Sequence, residues 1–124
     1  MKYSLSCAKP ALTRMYSGSP NAVIPFTKIP VETQIELTRM GVRMNCVAAE
    51  ISPRFYCIAP KELVANIRKL GVENVVISTD VGQPPNPNPV EMMRLYVQML
   101  LDEGLTVSEV KTMLHDTPAS FLYE

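Results

Sequence analysis

Apolar positions recur at helical spacing twice in the first half of the chain, and each time a glycine and an apolar run follow. Ile35, Leu37 and Met40 give the first stripe and Gly41 ends it. Leu63, Val64, Ile67 and Leu70 give the second, and Gly71 ends that one. The spacing predicts helices from Pro30 and from about Pro60 to Leu70. A proline at the first helical position and an acid in the first turn mark each start. The apolar runs predict strands over Val42 to Ile51 and Asn74 to Asp80. The second run is continuous rather than alternating, as in a parallel strand covered on both faces.

The two stretches superimpose when slid by thirty positions. Pro30 falls on Pro60, Glu32 on Glu62, Gly41 on Gly71, Val42 on Val72 and Glu50 on Asp80. A repeated helix–strand unit predicts a parallel pair joined by a crossover helix. Residues 52–59 become the strand-to-helix loop.

Beyond Asp80 the pattern changes. Gly82, Pro84, Pro85 and Pro87 exclude a helix and stiffen a loop. Asn88, Pro89 and Glu91 then combine an N-cap, a proline at the first helical position and a reciprocal capping acid. The helix they open carries Met92, Met93, Leu95, Tyr96, Met99, Leu100 and Leu101, and Gly104 closes it. Thr106 and Glu109 form a second capping box before Val110, Met113 and Leu114. Thr117 to Leu122 gives a final helical turn. Residues 1–29 hold Ser4, Ser6, Ser17, Gly18, Ser19, Pro20 and Pro25 with only short apolar pieces and read as a poorly defined amino-terminal segment. Ala22 to Phe26 is a brief strand candidate that Pro25 interrupts.

The order predicts an α/β fold: a partial (β/α) barrel, its last two to three βα units with extra carboxyl-terminal helices, over residues 30–124. A complete eight-stranded barrel takes roughly 250 residues, and this sequence has 124.

Charge narrows the function. Twelve basic and twelve acidic residues cancel, which argues against a general nucleic-acid binder. No apolar run is long enough to span a membrane, and the start lacks a signal-peptide core. Cys7, Cys46 and Cys57 are odd in number and form no paired motif, so free thiols in a reducing cytoplasm are expected.

Asp80 closes the second strand, and carboxyl ends of parallel strands are where α/β folds keep their chemistry. Such a carboxylate can ligate a metal or take a proton from water. It can equally cap the following turn. Gly82 would let backbone approach a ligand, and Gln83 offers donor and acceptor. Glu50 holds the equivalent place one unit earlier and reads either as a pocket partner of Asp80 or as a loop acid paired with Arg54. Asn45 and Ser78 are secondary candidates. His115, the single histidine, suits a helix end, and one histidine cannot build a histidine-based zinc site.

One resemblance adds to this. The run Val75, Val76, Ile77, Ser78, Thr79, Asp80, Val81, Gly82, Gln83, followed by Asn86, Pro87 and Pro89, resembles the last strand and loop of an uncharacterised branch of the amidohydrolase-type metal-dependent hydrolases, which are TIM barrels. Gly104, Leu105, Thr106 and Glu109, and then Thr117, Pro118 and Ala119, continue the likeness. It covers about three quarters of the chain. The resemblance implies that Asp80 binds a divalent, zinc-like metal and accepts a proton from the attacking water, with Gln83 and Glu50 toward the substrate. The superfamily's histidines have no counterparts here. The expected function is therefore a hydrolase fragment that is inactive alone. The alternatives are a non-catalytic half-barrel that self-associates or docks on the missing half, and a small α/β domain binding a small molecule between Glu50 and Asp80.

Overall fold

The computed structural model describes residues 29–53 and 55–122. The amino-terminal segment with its strand candidate, Cys7, and Arg54, the expected partner of Glu50, lie outside them.

Helix α1 spans Val31–Arg39, strand β1 Met44–Val47, helix α2 Pro60–Leu70 and strand β2 Val75–Ser78. Helix α3 spans Pro89–Asp102, α4 Val107–Lys111 and α5 Thr117–Leu122. The fold is mixed α/β, and β1 and β2 form a two-stranded parallel sheet.

Both strands are shorter than the apolar runs predict. Ala48–Ile51 winds into a 3-10 turn, closed by the Ser52 N–H on the Ala49 carbonyl at 3.1 Å. Ala48 and Ala49 are fully buried there. Their methyl side chains let the turn tuck under the core, which a bulkier strand residue would block. Val72–Asn74 forms another 3-10 turn, so β2 starts one residue later than expected and ends two before Asp80.

Strand register fixes the two faces of the sheet. Met44 pairs with Val75 and Cys46 with Ile77. These four belong to the main core with Leu63, Val64 and Ile67 of α2 and Met92, Tyr96 and Leu100 of α3. Asn45, Val47, Val76 and Ser78 occupy the opposite face. Val47 and Val76 are buried too, so the sheet is covered on both sides as the continuous run predicts. The ladder runs thirty-one residues apart, one more than the sequence repeat. Residues equivalent in the repeat therefore point to opposite faces.

The glycine stops hold. Gly41 and Gly71 take φ of 88° and 85°, a left-handed conformation that ends each helix before its strand. Pro60 is the first residue of α2, whereas Pro30 precedes α1. Asn88 caps α3 by accepting the Glu91 N–H at 3.0 Å. The expected reciprocal bond does not form, and the Glu91 carboxylate pairs with Arg94 at 3.1 Å instead. At α4 the box is complete: Thr106 N donates to Glu109 Oε2 at 2.8 Å and Glu109 N to Thr106 Oγ1 at 3.2 Å. The Glu109 carboxylate also takes Arg68 of α2 at 2.9 Å, and Arg68 donates to the Gly104 carbonyl at 2.8 Å. That junction ties α2 to the α3–α4 corner.

The last helical turn is not separate. A π turn over Thr112–Asp116 joins α4 to α5. Pro118 carries no N–H and cannot complete a regular ladder, and the wider turn absorbs the gap. Buried Thr117 donates to the Val72 carbonyl at 3.3 Å, fixing this corner to the entry of β2.

Tyr96 joins α3 to the sheet. It is fully buried, and its hydroxyl donates to the Cys46 carbonyl at 3.2 Å. Tyr96→Phe keeps the ring's packing and leaves that carbonyl without this donor. Urea denaturation is expected to show a loss of about 1 kcal/mol with the slope unchanged.

Candidate functional site

The carboxyl ends of β1 and β2 lie side by side. Past the strands, the Ala49 N–H donates to the Thr79 carbonyl at 3.0 Å, so the parallel ladder continues one step into the loops. Glu50 and Asp80 each follow directly on that bonded pair. The two acids that coincide in the sequence repeat thus share one rim of the sheet.

They do not share one environment. Asp80 is exposed and takes a left-handed backbone, φ 49°, a conformation an aspartate tolerates better than most residues. It turns the chain into the proline loop. Gly82 has an ordinary φ and open space around its α-carbon, so the described structure does not require a glycine there. Gln83 is exposed, and its side chain accepts from Asn86 Nδ2 at 3.3 Å while its carbonyl accepts the Asn86 N–H at 2.9 Å. Neither Asp80 nor Gln83 lines the cleft that Glu50 faces.

Glu50 instead faces a cleft of about 600 Å³ on the outer side of β1. Its walls are the start of α1 at Ile29 to Val31, the strand from Met44 to Cys46, and the side of α2 that carries Glu62, Asn66 and Lys69. The backbone at Glu50 is held from two directions. The Ala49–Thr79 bond precedes it, and its own carbonyl accepts the Cys57 N–H at 2.7 Å and the Ile58 N–H at 3.4 Å. The loop from Glu50 to Ile58 is thereby closed on itself, which brings the first turn of α2 to the Glu50 end of the cleft.

Burial governs the electrostatics here. Desolvation pushes the Glu50 carboxyl up from 4.5 to about 7. The Cys46 thiol beneath it is pushed up to about 12, first by burial and then by the Glu50 charge. Tyr96 is raised well above its ordinary value by burial, with smaller contributions from Cys46 and Glu50. Thiol and phenol are therefore neutral at physiological pH, and among the described residues no cation pairs with Glu50.

The secondary candidates do meet. Ser78 Oγ donates to Asn45 Oδ1 at 2.9 Å, across the two strands on the face opposite the main core. Cys46 is buried and Cys57 half-buried, both as free thiols. His115 is exposed on the π turn, with its Nδ1 2.9 Å from Asp116 Oδ1. This contact and the charge on His115 help hold the Asp116 carboxyl below its usual range. The helix-end role expected of His115 is replaced by this local pairing.

A divalent metal implied by the resemblance would need donors around Asp80. Catalytic zinc takes three protein ligands and a water. Among the described residues no three His, Cys, Asp or Glu side chains gather closely enough to hold an ion. Asp80 alone does not fit such a centre. No helix among the described residues is long and apolar enough to cross a membrane.

Sequence reasoning missed Tyr96 and Cys46 as neighbours of Glu50 and Glu62 as a wall of its cleft. The one local signal was the polar stripe Glu62, Asn66, Lys69 beside the buried stripe of α2. Linkage follows from the raised Glu50 value. A folded-state pKa above the unfolded one favours the protonated form in the fold, so stability falls as pH rises through 4.5 to about 7. Glu50→Gln is expected to match the native chain in stability below 4.5 and to exceed it above about 7. The gain is about 1 kcal/mol after allowing for solvent screening, checked by denaturation at several pH values.

No protein-family model, curated protein or solved structure matches this chain.

Proposed function

We propose that the chain is the carboxyl-terminal part of a metal-dependent hydrolase-type (β/α) barrel and that it catalyses nothing alone. The observation that carries the reading is the Ala49–Thr79 bond, which brings Glu50 and Asp80 to one carboxyl rim of a parallel pair. That rim is where barrels of this kind keep their reacting groups. The motif from Val75 to Gln83 supplies the hydrolase part of the proposal, on its residues alone.

In this reading Asp80 contributes one carboxylate to a centre whose other donors come from further strands. Its task is to ligate and to accept a proton from water, and Gln83 and Glu50 contact substrate from the adjoining loops. When bound, a divalent metal would activate water toward an amide, ester or phosphoester. The free thiols Cys46 and Cys57 suit a reducing cytoplasmic setting.

The purified chain is expected to hold zinc well below one equivalent and to show no turnover on amide, ester or phosphoester substrates. Elemental analysis and hydrolysis assays check this. One tightly held zinc per chain together with turnover, and no partner present, would sink the proposal.

A second reading follows from the sheet. Among the described residues β2 has β1 as its one strand neighbour, and two-stranded sheets are marginal by themselves. The half-barrel then self-associates or docks on a partner that completes the sheet. Sedimentation velocity is expected to show a species larger than the 13.8 kDa chain. A monomer stable across the concentration range would remove this reading.

A further inference from the structure

We propose that the cleft beside β1 is a binding site for a small organic cation, an ammonium on an apolar body, with its charge seated at Glu50. The proposal needs neither Asp80 nor a metal and shares only Glu50 with the hydrolase reading.

Size and shape come first. A cleft of about 600 Å³ falls within the range of small-molecule sites. Met44, Ile58, Leu63 and Val31 give it an apolar wall. The polar groups are few and unevenly placed. Glu62 sits in the first turn of α2, at the Glu50 end. Lys69 is seven residues further along the same helix, about 10 Å away at the rise of an α-helix. The α2 side of the cleft therefore carries an acid at its first turn and a base at its last.

Among the described residues no cation pairs with Glu50. Cys46 of β1 and Tyr96 of α3 lie close enough to feel the Glu50 charge, and Cys57 of the loop and Glu62 of α2 line the same cleft. The buried thiol and phenol are neutral. A half-buried carboxylate without a counter-ion is costly. A ligand cation would supply the missing charge while its body covers the apolar wall. Glu50 is also pre-positioned, because bonds on both sides of it clamp its backbone. A ligand would lose little energy in ordering the site.

Titration calorimetry with three probes of one chain length tests the assignment: n-hexylamine, n-hexanol and hexanoate. Hexylamine is expected to bind saturably at one per chain, hexanol about tenfold more weakly and hexanoate not at all. The amine stays protonated to about pH 10, so its affinity should drop as Glu50 takes up a proton below about 7. Glu50→Gln should lower amine affinity about tenfold, to the level of hexanol. Amide NMR shifts should centre on Glu50, Ile58 and Leu63. The proposal fails if hexanol equals hexylamine on the native chain, if saturable binding is absent, or if the shifts map elsewhere. The three-probe comparison needs no variant and no metal. Its failure removes ligand binding at Glu50 and leaves the Asp80 part of the barrel reading to its own zinc and turnover test.

Discussion

Two four-residue strands held parallel are the constraint on which this fold rests. A parallel pair cannot be closed by a tight turn, so a long connection must carry the chain back across the sheet. Here that connection is the loop after Glu50 together with α2. The crossover has a chemical consequence. It returns both strands in the same direction, so whatever follows each strand emerges at one edge. The Ala49–Thr79 bond makes this concrete by extending the ladder into the loops. Side chains distant in sequence become neighbours because the backbone is parallel, not because they attract each other. Two carboxylates would repel.

The divergence of the two acids follows from what each loop does next. After Glu50 the chain winds into a 3-10 turn over two buried alanines and doubles back so that Cys57 and Ile58 bond the Glu50 carbonyl. The carboxylate is carried along into a walled cleft and loses solvent. After Asp80 the chain leaves through a left-handed residue into a run of prolines that keeps it at the surface. Equivalence in the repeat thus ends where the strands end. The ladder offset tells the same story inside the strands, where a single residue of slip puts equivalent positions on opposite faces.

Local signals made much of the fold legible in the sequence. Gly41 and Gly71 announce helix ends because only a glycine takes that backbone without strain. Asn88, and Thr106 with Glu109, announce helix starts because their side chains replace missing backbone acceptors. The run Val75 to Ile77 announces a strand covered on both faces. Residues 48 to 51 were not legible, since a short apolar run carries no period that separates a strand from a turn. The candidate site was half legible. Its acids could be found because each follows a recognisable strand. The cleft could not, since it depends on where α1 sits against β1 and on Tyr96 reaching a carbonyl fifty residues away.

Tyr96 links packing to electrostatics at that cleft. Its ring fills the space between α3 and β1, and its hydroxyl occupies the Cys46 carbonyl. A phenylalanine there would pack equally well and leave a buried acceptor. A charged residue would neutralise Glu50 and cost more in desolvation than it returned. The phenol does neither: it satisfies the backbone and stays uncharged. The Cys46 thiol, equally buried, behaves the same way. The floor under Glu50 is thus hydrogen-bonded yet electrically neutral, so the carboxylate's charge is directed at the cleft rather than spent on the core. Stability and reactivity pull in opposite directions at this residue. The same burial that lifts its pKa is the cost that a cation seated in the cleft would offset.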